Sequence, residues 1–473
     1  MNRTKIVATI GPASAPFEVL REMVREGVNV VRLNFSHSRH DEHLEVIKTI
    51  RDIDKELGTH TAILADLQGP KIRIGEVENN GVELVKGKKV IISTNKEEIG
   101  TAERICTNYQ SFASDVKPGE RILLDDGKLA LEVIKTNGKN EVECVVVHGG
   151  ILSSKKGMNL PNTKVSLPCL TEKDLKDLAF ALDQNVDWIG LSFVRSARDI
   201  IELKHIIKER EKHARVVAKI EKPEAIEDID DIVKETDALM VARGDLGVEI
   251  PMERVPHIQK MLIEKCLHFA RPVIVATQMM ESMITSITPT RAEVNDVANA
   301  VLDGADAVML SAETSVGKHP IEVIRVMSRI IAEVEQHDHI YYHETMPAES
   351  DEDRFISDSI CFNACRLAKR VNAAAIVTMT FSGYTGIKVS SQRPRANTFV
   401  FTGNKKILTL MSLVWGVKAF YYDKMVSTDH TIADIKYILK KHGHLMEGDF
   451  VVNIASIPIS EQGMSNMLKL TKV

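Results

Sequence analysis

Short apolar runs alternate with amphipathic stretches along most of the chain. Residues 5–10 read as a buried strand closed by Gly11-Pro12, and 17–26 have the 3.6-residue spacing of a helix that stops at Gly27. Strand 28–36, helix 43–57 and strand 61–66 continue a β-α-β-α-β series, the signature of a parallel sheet. The series resumes at Leu170, with strands predicted at 187–193, 215–221, 238–242, 272–277 and 305–310. Between and after them lie helices at 171–184, 197–212, 223–235, 254–269, 290–303 and about 320–336, with Thr290 and Glu293 at capping-box spacing. Eight strands, each followed by a helix, predict an α/β (β/α)8 TIM barrel, an open doubly wound sheet being the alternative. The barrel domain takes residues 1–70 and 169–340.

The texture changes at Gly69-Pro70. Residues 71–168 alternate over short strands at 82–85, 90–92, 121–124, 129–134 and 141–147, separated by turn signals such as Asn79-Asn-Gly81 and Asp125-Asp-Gly127. This predicts an inserted all-β barrel module. Residues 336–353 are polar and acidic and read as a linker. A third domain, 354–473, has helices at 355–370, 404–414 and 430–441 among strands at 374–380, 398–401, 419–422, 450–454 and 467–470, which is an open α/β unit.

Composition narrows the function class. The 473 residues are 44% apolar and 27% charged with net charge −5, which is ordinary for a globular protein and gives no nucleic-acid or anionic-membrane footprint. The chain enters a strand-like run without a signal-peptide core, and no apolar stretch nears the ~20 residues needed to cross a bilayer. With six scattered cysteines and no Cys-x-x-Cys pair, these features predict a cytoplasmic protein with reduced thiols.

The chemistry gathers where strands end. Lys219 and Glu221 share a strand face, and Gly244 and Asp245 follow strand 238–242. Thr277, Ser311 and Glu313 close two more strands. Two carboxylates suit Mg²⁺ or Mn²⁺, and a metal beside an ammonium would neutralise an anion, the inventory for phosphoryl transfer or enolate stabilisation. Arg32, Asn34 and Ser36 alternate along one strand face, and Arg32 is a natural phosphate clamp. Asp66 ends the adjacent strand, Lys71 and Arg73 open the insertion, and Lys155-Lys156 lie near its far end, as a phosphate contact or as a solvated surface pair. His37, His40 and His43 have zinc-like spacing, but polar surroundings favour solvated side chains. Met279, Met280 and Met283 read as packing. No Walker loop or dinucleotide fingerprint is present.

These stretches resemble pyruvate kinase. The matching motifs include Thr4-Lys-Ile-Val-Ala-Thr-Ile-Gly-Pro12, Val31-Arg-Leu-Asn-Phe-Ser-His37, Asp66-Leu-Gln-Gly-Pro-Lys-Ile-Arg73 and Lys155-Lys-Gly-Met-Asn-Leu-Pro161. Lys219-Ile-Glu221, Ala242-Arg-Gly-Asp-Leu-Gly-Val-Glu-Ile-Pro251, Ala276-Thr-Gln-Met-Met-Glu-Ser282 and Met309-Leu-Ser-Ala-Glu-Thr314 follow in the family's order. The resemblance implies transfer of phosphate from phosphoenolpyruvate to ADP, giving pyruvate and ATP in glycolysis. It implies that Lys219 stabilises the phosphoryl group and enolate, and that Glu221 and Asp245 bind the divalent metal. Gly244 and Thr277 would hold the substrate carboxylate and Arg32 its phosphate. Asn34, His37, Arg73 and Lys156 would lie at the nucleotide, and Ser311 and Glu313 at the water network that protonates the enolate. The inserted module would be a mobile lid, and the assembly a homotetramer.

Two positions depart from that pattern. Asn34, Ser36, Asp66 and the carbonyl of Leu67 match a K⁺ site, but Lys71 stands where many members have an acidic residue, so an ammonium replaces the cation and K⁺ is not required. In the C-terminal domain, Thr380, Ser382, Gly383 and Thr385 match an effector-phosphate loop. The segment 454–463 lacks the Trp and Arg that grip a sugar bisphosphate, which leaves a monophosphate effector, such as AMP or a sugar monophosphate, or none. The competing readings are a Mg²⁺-dependent barrel lyase or aldolase working through a pyruvate enolate, and a non-catalytic binding protein.

Overall fold

Eight parallel strands close on themselves, most of their residues buried either inside the barrel or against the surrounding helices. In the computed structural model, which describes residues 2–96, 98–347, 354–424, 426–457 and 463–473, they begin with β1 (Lys5–Thr9), β2 (Val28–Asn34) and β3 (Ala62–Asp66). The inserted strands follow as β4 (Val82–Leu84), β5 (Lys89–Ser93), β6 (Arg104–Cys106), β7 (Arg121–Leu124), β8 (Leu129–Thr136), β9 (Glu141–His148), β10 (Gly150–Leu152) and β11 (Met158–Asn159). The barrel resumes with β12 (Trp188–Leu191), β13 (Arg215–Ile220), β14 (Ala238–Ala242), β15 (Val273–Ala276) and β16 (Ala307–Leu310). The C-terminal strands are β17 (Ala375–Met379), β18 (Asn397–Thr402), β19 (Val417–Tyr421), β20 (Phe450–Ala455) and β21 (Met467–Lys472).

The order β1-β16-β15-β14-β13-β12-β3-β2 closes through the β1–β2 pair, so the barrel reading holds over the open sheet. The insertion forms a six-stranded sheet, β11-β7-β8-β9-β5-β6, and a separate β10–β4 pair. The C-terminal sheet runs β19-β18-β17-β20-β21, parallel except for β21. At the helix Arg291–Leu302, Thr290 Oγ1 accepts from Glu293 N at 3.2 Å while the Glu293 carboxylate accepts from Thr290 N at 2.7 Å, the reciprocal cap the spacing predicts.

Several elements differ from expectation. The helix predicted over 223–235 is two, Pro223–Glu227 and Ile229–Glu235, breaking at Asp228, whose carboxylate accepts from Ala197 N. Strands β6, β10 and β11 escape a period-2 reading because each is only two or three residues long. The helices Arg243–Glu249 and Tyr384–Ser391 occupy stretches where no helix is predicted, since glycines interrupt both patterns. The linker holds a short turn, Asp338–Ile340, with Ile340 buried; its residues 348–353 lie outside the described residues.

The C-terminal domain seals the end of the barrel opposite the site. Inward residues such as Val7, Leu64 and Met309 share one apolar cluster with Val400, Ile407, Met411 and Val417. Buried Arg393 pairs with Asp306 at 3.0 Å and donates to Gly304 O at 2.7 Å. Chemistry is thereby confined to the strand C-termini.

Candidate active site

Lys219 projects from β13 into a nest of oxygens. Its Nζ lies 3.0 Å from Asp66 Oδ1, 3.0 Å from Glu221 Oε1 and 2.7 Å from Ser192 Oγ. Burial alone would lower its pKa, but the Asp66 and Glu221 carboxylates outweigh that and hold it above the usual lysine value. The ammonium is thus charged, buried and fixed. Asp66 is buried too, and Lys219 and Arg32 together overcome its burial and depress its pKa. Arg32 Nε donates to Asp66 Oδ2 at 2.7 Å and Nη1 to Thr9 Oγ1 at 2.9 Å. Gly190 leaves room for this carboxylate, since a Cβ there would lie 3.1 Å from Asp66 Oδ1.

Glu221 and Asp245 end neighbouring strands. Glu221 Oε2 accepts from Phe193 N at 2.7 Å, whereas among the described residues the Asp245 carboxylate has no hydrogen-bond or ion-pair partner. Burial and then, against the pull of Lys219, the facing charge of Asp245 raise the Glu221 pKa. Two facing hard carboxylates, one unpartnered, suit a divalent cation, so this donor set fits Mg²⁺ or Mn²⁺.

Thr277 sits at φ 72°, the left-handed region, which is strained for a β-branched residue. Arg243 holds it there, donating to Thr277 O at 2.7 Å and Ala276 O at 3.2 Å, with its guanidinium anchored on Asp296. Thr277 Oγ1 accepts from Gly244 N at 2.8 Å and donates to Ala276 O at 2.6 Å, which sets the two groups side by side at the strand ends. Glu313 is buried, accepts from Ser311 N at 2.6 Å and Met280 N at 3.2 Å, and its pKa is raised by burial.

Asn34 Oδ1 accepts from Ser36 N at 3.1 Å, and the Leu67 carbonyl accepts from Ser192 Oγ at 2.6 Å. Lys71 is half-buried, and its charge joins those of Arg73 and Arg32 in lowering the pKa of His37, after partial burial. The three cations thus act together on one imidazole near the root of the insertion. Lys156 does not stand free: it pairs with Asp125 at 2.8 Å, and Lys155 with Glu76 at 3.0 Å.

His37 is exposed, as expected, but the solvated-histidine expectation needs correction at His43. His43 is buried against Phe35 with ring centroids 4.3 Å apart, and burial pushes its pKa down to about 4. His40 stacks on Phe180 and contacts Asp177 at 2.7 Å. No cluster of three metal-ligating His, Cys, Asp or Glu side chains occurs among the described residues. Met279, Met280 and Met283 are fully buried, as packing requires.

In the C-terminal domain, Thr380, Ser382 and Thr385 line a cavity of about 800 Å³ with Arg354, Tyr384 and Lys424. Gly383, at φ 82°, caps the helix Tyr384–Ser391. Arg354 was missed because it is distant in sequence; it lies 4.2 Å over the Tyr384 ring. Residues 458–462 of the effector-related segment lie outside the described residues. Ser192, Phe193 and Arg243 also escaped sequence reading, although Arg243 lies inside the Arg-Gly-Asp motif.

A closed barrel with a buried ammonium, a guanidinium and two carboxylates at its strand ends defines a barrel enzyme for a small anionic substrate. The pyruvate kinase barrel-domain model matches residues 1–324 and the pyruvate kinase alpha/beta-domain model residues 358–471. The chain is 43% identical to the pyruvate kinase of Geobacillus stearothermophilus over 473 residues, covering 99% of this chain and 80% of that one. It is 43% identical to that of Corynebacterium glutamicum, covering 98% and 96%. A crystal structure of a pyruvate kinase from Cryptosporidium parvum matches with TM-score 0.93 at 34% identity, covering 100% of this chain and 96% of that one. The chain belongs to the pyruvate kinase family and is a phosphotransferase acting between phosphoenolpyruvate and ADP. No helix among the described residues is long and apolar enough to cross a membrane.

Proposed function

We propose that the pocket around Lys219 carries phosphoryl transfer from phosphoenolpyruvate to ADP. The observation that carries this reading is the fixed Lys219 ammonium, 3.0 Å from both Asp66 and Glu221 and within reach of Arg32's partner carboxylate. Arg32 and Lys219 bind the phosphate on entry, and Lys219 stabilises the charge left on the enolate oxygen. Gly244 N and Thr277 Oγ1 receive the substrate carboxylate, and Ser311 with Glu313 delivers the proton that converts enolate to pyruvate. Glu221 and Asp245 would hold Mg²⁺, which supplies Lewis-acid stabilisation of phosphoryl and enolate oxygens when bound. Arg73, Lys156, Asn34 and His37 surround the nucleotide phosphates, and the insertion closes to exclude water.

Lys71 supplies the positive charge of a monovalent cation beside Asn34, Ser36, Asp66 and Leu67, so K⁺ is dispensable. The C-terminal cavity receives a monophosphate such as AMP or a sugar monophosphate at Thr380, Ser382, Gly383 and Thr385. The enzyme works in the cytoplasm, where its six free cysteines stay reduced, as a homotetramer. Phosphorus NMR of the protein with phosphoenolpyruvate, ADP and Mg²⁺ tests the reading. Growth of the ATP γ-phosphate signal as phosphoenolpyruvate disappears is expected. Substrate loss without ADP would overturn it in favour of the enolate lyase.

A further inference from the structure

Two side-chain hydrogen bonds join the inserted module to the barrel among the described residues. One lies near the return hinge, Arg195 Nη1 to Val165 O at 2.8 Å. The other lies over the site: Asn159 Nδ2 of β11 donates to Glu249 Oε1 at 2.8 Å. The same oxygen accepts from Lys222 Nζ at 2.7 Å. The Glu249 side chain is 1% exposed, and its other oxygen is buried with no hydrogen-bond partner among the described residues. The carboxylate is therefore held through Oε1 alone, by one donor from the barrel and one from the insertion.

The placement ties this contact to the pocket. Lys222 directly follows Glu221, and Glu249 stands one helical turn beyond Asp245 in the helix Arg243–Glu249. All five side chains border or adjoin the cleft between insertion and barrel, which Asp245, Lys222, Glu249 and Asn159 line together. Lys222 Nζ and Asn159 Nδ2 thus converge on one carboxylate oxygen of Glu249, and hydrogen bonds to a carboxylate are roughly twice as strong as neutral ones.

We infer that Glu249 is a positioning residue, the barrel half of a latch whose other half is Asn159, and that this latch holds the insertion shut during phosphoryl transfer. The inference rests on the reading of the insertion as a lid. Closure then depends on the two segments that carry Glu221 and Asp245, so the lid seals best when both are in place.

The test uses the full chain with spin labels at Lys139→Cys on the insertion and Lys208→Cys on the barrel, both exposed positions, against the six buried native cysteines. Asn159→Asp is isosteric and sets a second carboxylate against Glu249. With phosphoenolpyruvate, ADP and Mg²⁺ present, the label distance should lengthen and broaden, and the KM for ADP should rise at least fivefold with a smaller change in kcat. Inorganic phosphate per pyruvate should also rise, because water then takes the phosphoryl group: the enol-oxygen–phosphorus bond breaks, a water-oxygen–phosphorus bond forms, and the enol ketonises to pyruvate. Adding Glu249→Gln reverses the donor and acceptor, and should restore the distance distribution. A distribution unchanged by Asn159→Asp overturns the latch, as does failure of a folded double variant to restore it. Should Glu249→Gln fail to fold, Asn159→Leu gives the donor-loss arm, expected to lengthen the distance and contradicted by an unchanged one. Wild-type protein that makes no ATP would overturn the kinase reading, while the label distances still decide the latch.

Discussion

Lys219 Nζ lies 3.0 Å from Asp66 Oδ1, and the opposite oxygen of that carboxylate accepts from Arg32 Nε at 2.7 Å. One buried acid thus sets the distance between the two cations we propose meet the substrate phosphate. Asp66→Asn removes one of the two carboxylates that raise the Lys219 pKa. The alkaline limb of the kcat–pH profile should then move to lower pH, since Lys219 loses its proton earlier. Breaking a buried ionic network should also cost about 3–5 kcal/mol of stability. A profile superimposable on wild type would contradict this role for Asp66.

Lys71 leads to a prediction about salt. In Tris buffer without K⁺, turnover should stay within about twofold of that with K⁺, because a tethered ammonium supplies the charge a monovalent cation would bring. Lys71→Glu should make turnover depend on K⁺. A wild-type enzyme inactive without K⁺ would refute the substitution of charge.

His43 predicts how stability responds to acid. Its folded pKa, about 4, lies below its ordinary value of 6.5. The unfolded chain therefore binds the extra proton first, and stability that is complete above pH 6.5 is lost as pH falls toward 4. His43→Leu fills the same space against Phe35 without a titrating ring. Denaturant melts at pH 7 and pH 5 should show a smaller loss in the variant. Equal losses would assign the acid sensitivity elsewhere.

The C-terminal cavity predicts phosphate binding at the Thr380–Thr385 loop. Calorimetric titration with AMP and with ribose 5-phosphate should show saturable binding to wild type, and Ser382→Glu should weaken it at least tenfold by like-charge repulsion. Equal affinity in the variant, or no binding to wild type, would remove this loop from the effector reading.

The barrel was legible because its strands are continuous apolar runs, and the Lys219, Glu221 and Asp245 cluster because strand ends announce themselves where such runs turn polar. The supporting geometry was not. Thr277 takes a left-handed backbone that no propensity favours, and tertiary bonds from Arg243 and Gly244 hold it there. Arg354 reaches Thr380's cavity across the C-terminal fold, and Asn159 meets Glu249 ninety residues away, contacts that carry no local pattern. His43 was misread for a related reason. Its helix is polar on average, but the face it shares with Ile47 and Ile50 is buried.

Pyruvate formation from phosphoenolpyruvate and ADP with Mg²⁺, measured for wild type beside Lys219→Met, tests the central claim most directly. Loss of the pocket's fixed ammonium should lower kcat by about 10²–10³-fold in a variant that melts as a folded protein, the scale seen when preorganised charge stabilisation is removed. Turnover within tenfold of wild type would place the phosphoryl-stabilising charge on another residue and contradict the account.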